Sequence, residues 1–274
     1  MSERLDIELV IRSLARSRSH AAQLIGQSRV LVNGKVATKP AQKIAVADDL
    51  ALTQGPDFVS RAGQKLDDAL REFDIKVSGW CLDAGASTGG FTQVLLESGA
   101  EGVVAVDVGH DQLVELLRSD ERVVSLEGCN LRELTVGKLS ELTGRAFNFS
   151  FVVADLSFIS LTLVLEQLAA LAPKAPMVLL VKPQFEVGKH SLNASGIVTD
   201  WRDRRRALEQ VVDGAAKLGY EVSGLIESSI KGTHGNTEYL LWISPTGVDN
   251  RQQWSEEISQ LANCLLYTSD AADE

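Results

Sequence analysis

Asp83-Ala84-Gly85-Ala86-Ser87-Thr88-Gly89-Gly90-Phe91-Thr92 is a run of mostly small residues that begins on an acid. An apolar run from Trp80 leads into it and Val94-Leu95-Leu96 follows, so an acid at a strand's end opens onto a small-residue loop and then a helix. Gly85, Gly89 and Gly90 let a ligand approach the backbone closely, and the helix start supplies unpaired N–H groups. The loop builds a cofactor pocket without naming the cofactor.

A nicotinamide fingerprint reads Gly-x-Gly-x-x-Gly, and Ser87 stands where its second glycine belongs. Asp107 ends the next β-rich run, 24 positions after Asp83, where an acid holds the hydroxyls of a ribose. Two carboxylates beside the loop would repel a pyrophosphate and suit S-adenosylmethionine, which is cationic and carries no phosphate. The alternative at this point is a plain glycine-rich turn with Asp107 capping a helix. Asn130 follows the third β-rich run and is placed to bond an adenine edge, or is a turn residue.

The β-rich runs Trp80–Ala84, Gly102–Val106, Val123–Leu126, Phe151–Ala154 and Met177–Val181 alternate with helical stretches. That rhythm predicts an α/β fold, a parallel sheet covered by helices on both faces. Glu221–Ile226 and Tyr239–Ile243 extend the sheet after a helix from Trp201 to Leu218, whose Arg202-Asp203-Arg204-Arg205-Arg206 reads as a solvated face. Asp83, Asp107, Asp155 and Lys182 fall at or just past strand ends, where ligands of such sheets bind. Lys182 follows the buried-looking Val178-Leu179-Leu180-Val181 and precedes Pro183, so it faces the expected crevice.

Residues 1–54 form a separate small module. Two short helical patterns carry Leu5, Leu9 and Leu14, then Ala21, Leu24 and Ile25, with Ser17 or Ser19 as the cap of the second. Val30-Leu31-Val32-Asn33-Gly34-Lys35-Val36 reads as a hairpin around an Asn-Gly turn. Gly55-Pro56-Asp57 breaks the pattern, giving a linker over 55–60 and a second domain over 61–263. The chain's net charge of −10 is unevenly spread. Residues 1–54 hold eight Lys/Arg against five Asp/Glu, a net of +3, and the rest hold 19 against 32, a net of −13. Because salt screens beyond roughly 8 Å, local sign decides what a surface binds, and the first module can meet a polyanion.

At 274 residues and 45% hydrophobic, the chain suffices for one substantial core plus that module. No apolar run approaches the roughly 20 residues of a spanning helix, and the N-terminus lacks a signal-peptide layout, so a cytoplasmic protein without a membrane partner is expected. Cys81, Cys129 and Cys264 show neither metal-ligand spacing nor disulfide density, and no metal is expected. Residues 264–274, Cys-Leu-Leu-Tyr-Thr-Ser-Asp-Ala-Ala-Asp-Glu, resemble the in-frame translation of a sequencing adapter and are set aside from fold reasoning. Without their three acids the net charge is −7.

Several motifs now combine: Phe58-Val59-Ser60-Arg61-Ala62-Gly63-Gln64-Lys65-Leu66, the Asp83 loop, Val106-Asp107-Val108-Gly109, Asp155-Leu156-Ser157-Phe158-Ile159-Ser160, Val181-Lys182-Pro183-Gln184-Phe185-Glu186 and Lys231-Gly232-Thr233-His234-Gly235-Asn236-Thr237-Glu238. Together they resemble the TlyA family of ribosomal-RNA ribose 2′-O-methyltransferases, also called haemolysin A, whose catalytic domain is similar to FtsJ. The resemblance covers residues 3 to about 262, with Ala62 in place of a usual glycine and Ser229 in place of a common proline. It implies a Rossmann-like S-adenosylmethionine-dependent methyltransferase sheet and an N-terminal α+β RNA-binding domain of ribosomal-protein type. It also implies methylation of a ribose 2′-hydroxyl, that of a cytidine, in ribosomal RNA within a ribosomal subunit, by a monomer.

The resemblance places the family's catalytic tetrad on Lys65, Asp155, Lys182 and Glu238. A neutral ribose hydroxyl is a poor nucleophile and loses its proton as it attacks the methyl carbon. Lys182 would accept that proton or, as an ammonium, stabilise the alkoxide. Asp155 and Glu238 would orient the lysines, and Lys65 would position the ribose. Cofactor contacts are expected from Asp83, Gly85, Ser87, Thr88, Gly89, Gly90, Asp107, Asn130 and Asp155. RNA phosphates are expected at Arg4, Arg16, Arg18, Lys35, Lys39, Arg61 and Lys189, each of which alone also reads as a solvated surface charge. Taken singly, Lys65 reads as a surface residue and Glu238 as a partner of Lys231 at a strand edge. A membrane-damaging haemolysin would need a spanning, secreted or strongly basic amphipathic segment that the sequence lacks. A non-catalytic assembly factor would not need the intact tetrad.

Overall fold

The computed structural model describes residues 2–26, 29–53, 58–232, 234–245 and 251–263. It divides into two compact units, Met1–Arg61 and Ala62–Glu274. The Gly55-Pro56-Asp57 break and the 264–274 tail lie outside the described residues.

The first unit contains β1 (Ser2–Arg4), α1 (Leu5–Ile11), α2 (Arg18–Gly26), β2 (Val30–Val32), β3 (Lys35–Val36), β4 (Lys43–Ala45) and β5 (Leu50–Leu52). Asn33 and Gly34 both take positive φ, 51° and 75°, the geometry that lets a two-residue turn join β2 to β3. Of the two candidate caps, Ser17 is the one used: its Oγ accepts from the His20 amide at 3.1 Å. Leu14 is not part of the first helix. Ser13 turns left-handed (φ 59°) after Ile11, and Leu14 packs half-buried on the core of Leu5, Leu9, Leu24 and Ile25 from beyond the helix end. The sequence also gave no sign of β1, β4 and β5, because three-residue strands are too short to display alternation.

The second unit is built on a sheet of seven strands among the described residues, in the order β11-β12-β10-β9-β6-β7-β8. Its elements are α3 (Arg61–Glu72), β6 (Trp80–Ala84), α4 (Gly90–Glu97), β7 (Gly102–Val106), α5 (Glu115–Arg118), β8 (Val123–Leu126), α6 (Val136–Thr143) and β9 (Phe149–Ala154). They continue as α7 (Leu165–Leu171), β10 (Met177–Val181), α8 (Pro183–Glu186), α9 (Trp201–Lys217), β11 (Glu221–Glu227), β12 (Tyr239–Ser244) and α10 (Arg251–Asn263). β6 to β10 run parallel, and β12 and β11 add antiparallel to the β10 edge.

Both faces of the sheet are covered. Leu82, Val104, Val152 and Leu179 share one core with Leu165 and Leu168 of α7 and Leu208 and Val211 of α9. On the other face, Thr92 of α4 bonds Asp83, Lys65 of α3 meets Glu238, and Phe73 just past α3 stacks on Trp242 at 5.7 Å. Alternating residues are therefore buried on both sides, which is why the parallel strands read as continuous apolar runs.

One expectation for α9 fails. Arg204 does not lie on a solvated face but is 3% exposed, donating to the carbonyls of Val198, Thr199 and Ala262. Its long stem packs with Ala207 and Leu208 on the buried stripe, and its planar fork ties α9 to the end of α10.

Candidate active site

The chain passes outward from β6 to β7 and β8, then crosses back to β9 on the other side of β6. This reversal leaves a crevice where the loops after β6 and β9 part, the usual ligand position in such sheets. A cavity of about 570 Å³ opens there, lined by Gly85, Ser87, Asp107, Asn130 and Asp155 among others. The walls touch at its root: the Asp155 amide donates to the Ala84 carbonyl at 2.9 Å. Gly85 adopts φ +88°, and a Cβ on it would stand 2.5 Å from the Asp155 carbonyl oxygen, so both conformation and space demand glycine.

The tetrad residues resolve into two ion pairs. Lys65 Nζ lies 2.5 Å from Glu238 Oε2, with both residues buried (7% and 3% exposed). Lys182 Nζ lies 2.6 Å from Asp155 Oδ1 and donates to Ser157 Oγ at 2.9 Å. Strand register explains how they meet. Val181 pairs with Tyr239 in the antiparallel ladder of β10 and β12, so one further step sets Lys182 level with Glu238. Gln184, two positions past Lys182, donates from Nε2 to Glu238 Oε1 at 3.3 Å. The alternative pairing of Glu238 with Lys231 is not made, because Lys231 bonds Glu227 and Thr237 instead. Ser229, at the position of the family's proline, bonds Asp68 of α3 through its hydroxyl.

The acids of the loop have distinct duties. Asp107 accepts from the amides of Ser87 (2.8 Å) and Gly109 (2.7 Å), fixing the loop while it faces the cavity. Asp83 is fully buried beneath the loop, accepts from Thr92 Oγ1 at 2.6 Å, and has Oδ1 buried without a partner. Burial pushes the Asp83 carboxyl up to about 7; bonds from Thr92 oppose this, and the charges of Asp155 and Asp107 add to it. Since an unfolded aspartate titrates near 4, the folded state favours protonated Asp83. The stability this brings is full below about pH 4 and is lost as pH rises through about 7, on the order of 4 kcal/mol in all. Urea midpoints at pH 5 and pH 8 should accordingly fall further with pH for the wild type than for Asp83→Asn, and equal falls would contradict this assignment.

Thr88, Gly89 and Gly90 carry the loop into α4 and do not line the cavity. Asn130 does line it, but its side chain is also engaged in capping: Oδ1 accepts from the Arg132 amide and Nδ2 donates to Glu133. Arg16, Lys35, Lys39, Arg61 and Lys189 are exposed. Arg4 and Arg18 both converge on buried Asp6, at 2.9 and 3.1 Å, and Arg4 above all holds that carboxyl down at about 2. They are thus internal ties as well as surface cations. Sequence reasoning missed Gln112, Arg132 and Phe158, which also line the cavity. Of these only Phe158 carries a signal in hindsight: an aromatic beside Asp155 that is 90% exposed, with φ +65°. Among the described residues, no helix is long and apolar enough to cross a membrane.

A doubly covered sheet with an acid-lined cavity at its switch point and a lysine at a strand's end defines a class, and the chain belongs to it: residues 58–244 match the FtsJ-like methyltransferase family, and residues 3–50 match the S4 domain. Within that class the chain is a member of the TlyA family. It is 50% identical over 246 residues to the Mycobacterium tuberculosis 16S/23S rRNA (cytidine-2′-O)-methyltransferase TlyA, covering 88% of this chain and 89% of that one. It is 39% identical over 242 residues to Hemolysin A of Brachyspira hyodysenteriae, covering 86% and 98% of the two chains. A solved Streptococcus thermophilus structure described as a hemolysin superposes with a TM-score of 0.71 at 38% identity, covering 95% of each chain.

Proposed function

We propose that this chain methylates the ribose 2′-hydroxyl of a cytidine in ribosomal RNA, with S-adenosylmethionine as the methyl donor. The observation that carries the reading is the pair of lysine–carboxylate contacts, Lys65–Glu238 and Lys182–Asp155, set side by side at the ends of β10 and β12, with Asp155 also lining the cavity. The M. tuberculosis relative's cytidine 2′-O specificity supports the choice of nucleoside.

The cavity suits the proposed donor in size and sign. A volume of about 570 Å³ falls in the range of small-ligand sites. Asp107 and Asp155 match a cation without phosphate, and each Asp107 oxygen keeps a second lone pair for a ribose hydroxyl. Gly85, Ser87 and Asn130 would complete the contacts, with Asp83, Thr88, Gly89 and Gly90 supporting the loop from behind. Bound S-adenosylmethionine supplies a methyl group activated by its sulfonium.

The chain's own residues handle the hydroxyl. Lys182 Nζ donates to Ser157 Oγ and lies 2.6 Å from Asp155 Oδ1, and a remaining N–H direction would serve the 2′-oxygen. There it takes up the hydroxyl proton or, as an ammonium, holds the developing alkoxide, while Asp155 balances its charge. Lys65, anchored by Glu238, positions the ribose. The exposed Arg16, Lys35 and Lys39 of the S4 unit, with Arg4, Arg18, Arg61 and Lys189, would contact phosphates and orient the RNA without reading its sequence. On this reading the protein works as a monomer on a ribosomal subunit in the cytoplasm.

Incubation with methyl-labelled S-adenosylmethionine and purified ribosomal subunits, followed by nucleoside digestion, should yield labelled 2′-O-methylcytidine. Label in a base, or none in RNA, would overturn the proposal.

A further inference from the structure

The loops after β9 and β10 deliver Asp155 and Lys182, and three contacts tie one loop to the other. Nearest the strands, Lys182 meets Asp155 and Ser157. In the middle, the rings of Phe158 and Phe185 pack at 5.2 Å. At the far end, Glu186 Oε1 accepts from the Leu161 amide at 2.9 Å, and Oε2 accepts from Ser160 Oγ. Ser160 Oγ in turn contacts Thr162 Oγ1 at 2.6 Å and accepts from the Thr162 amide, so the carboxylate grips the start of a helical turn rather than a single side chain.

Nothing else described spans the loops at that end with a charge. Glu186 is largely enclosed, and burial raises its carboxyl's pKa. A protein does not enclose a carboxylate without return, and here the return is fixed geometry: two donors from the loop after β9 held by a residue only four positions beyond Lys182. Phe158, between Ser157 and Ser160, turns left-handed at φ +65°.

We propose that Glu186 is a positioning residue that clamps the loop after β9 to the loop after β10 and so sets Lys182 against Asp155. The inference rests on the methyl-transfer reading of that pair. Glu186 bonds Ser160 and Leu161 rather than Lys65, Asp155, Lys182 or Glu238, and it acts through the two loops. Because a hydroxyl both donates and accepts, glutamine at position 186 can bond Leu161 through its oxygen and Ser160 through its amide, whereas leucine can do neither.

The test compares Glu186→Leu, Glu186→Gln and Ser160→Ala in the full chain. A displacement of about 1 Å at a reacting group costs on the order of 10²-fold in rate, so Glu186→Leu should lose about 100-fold in kcat. Its Kd for S-adenosylmethionine by calorimetry should stay within about threefold, a split that a merely structural role would not produce. Glu186→Gln should stay within about threefold of wild type in kcat. Ser160→Ala, the milder change if leucine compromises folding, should lose roughly tenfold. Amide exchange at Leu161 should accelerate in Glu186→Leu and not in Glu186→Gln. Unchanged kcat in Glu186→Leu, equal losses for leucine and glutamine, or unchanged Leu161 exchange would each overturn the clamp. If wild type methylates no subunit RNA, the functional reading fails, and the exchange comparison still decides whether Glu186 holds the loops.

Discussion

Lys182→Ala is expected to lower the rate of methyl transfer by about 10²- to 10⁴-fold while leaving the fold and cofactor affinity in place. Lys182 is the first residue past β10, its side chain is 10% exposed, and it faces Asp155 and Ser157 rather than the apolar core. Alanine there removes the nitrogen that takes or holds charge at the 2′-oxygen, and it opens no cavity among core side chains. Asp155 Oδ1, the atom that faces Lys182, is buried, so the variant should also lose some stability as this carboxylate loses its partner, and a denaturant midpoint separates that loss from the loss of rate. Lys182→Arg separates the two roles, since a guanidinium stabilises an alkoxide but does not act as a base at neutral pH. Single-turnover transfer to ribosomal subunits, alongside calorimetry with S-adenosylmethionine, measures both effects. A rate within tenfold of wild type for Lys182→Ala would contradict the assignment.

Glu238→Ala should act first on stability. Lys65 is 7% exposed and its ammonium is matched by Glu238 at 2.5 Å. Removing the carboxylate leaves a buried cation alone and strips Gln184 of its acceptor, a change worth about 3–5 kcal/mol when a buried pair is broken from one side. The double variant Lys65→Met with Glu238→Leu replaces both charges by apolar groups and should recover most of that loss without recovering activity. Denaturant midpoints for Lys65→Met, Glu238→Leu and the double variant form the cycle, with Glu238→Ala measured alongside. If Glu238→Ala is as stable as the double variant, the pair is not the buried contact described.

The two sites differ in how legible they were. Four of the parallel strands were bounded correctly from sequence; β7 and β10, buried at every position, appear as unbroken apolar runs such as Met177–Val181, whereas the edge strand β8 is only partly buried. β9 begins earlier than expected, at Phe149, whose ring stacks on Phe147 outside the strand. The Lys65–Glu238 contact spans 173 positions and was reachable only through family resemblance, since no local pattern distinguishes Lys65 from a surface lysine on a helix. Arg204 was misread for the complementary reason: in a run of arginines, composition does not say which one turns inward. The Asp6 hub was hidden because Arg4, Asp6 and Arg18 come together only when β1, α1 and α2 pack. Ser87 and Asp107 were legible because their roles depend on the strand-loop-helix order itself.

If the lysine–carboxylate pairs at the ends of β10 and β12 form a ribose 2′-O-methylating centre, the methyl group in the product lies on a ribose oxygen and depends on Lys182. Ribosomal subunits treated with S-adenosylmethionine and either wild type or Lys182→Ala would be digested and their 2′-O-methyl nucleotides mapped by mass spectrometry. A new 2′-O-methylcytidine is expected with wild type and not with Lys182→Ala. A methyl group on a base nitrogen or carbon, or equal 2′-O-methylation by both proteins, would contradict this assignment.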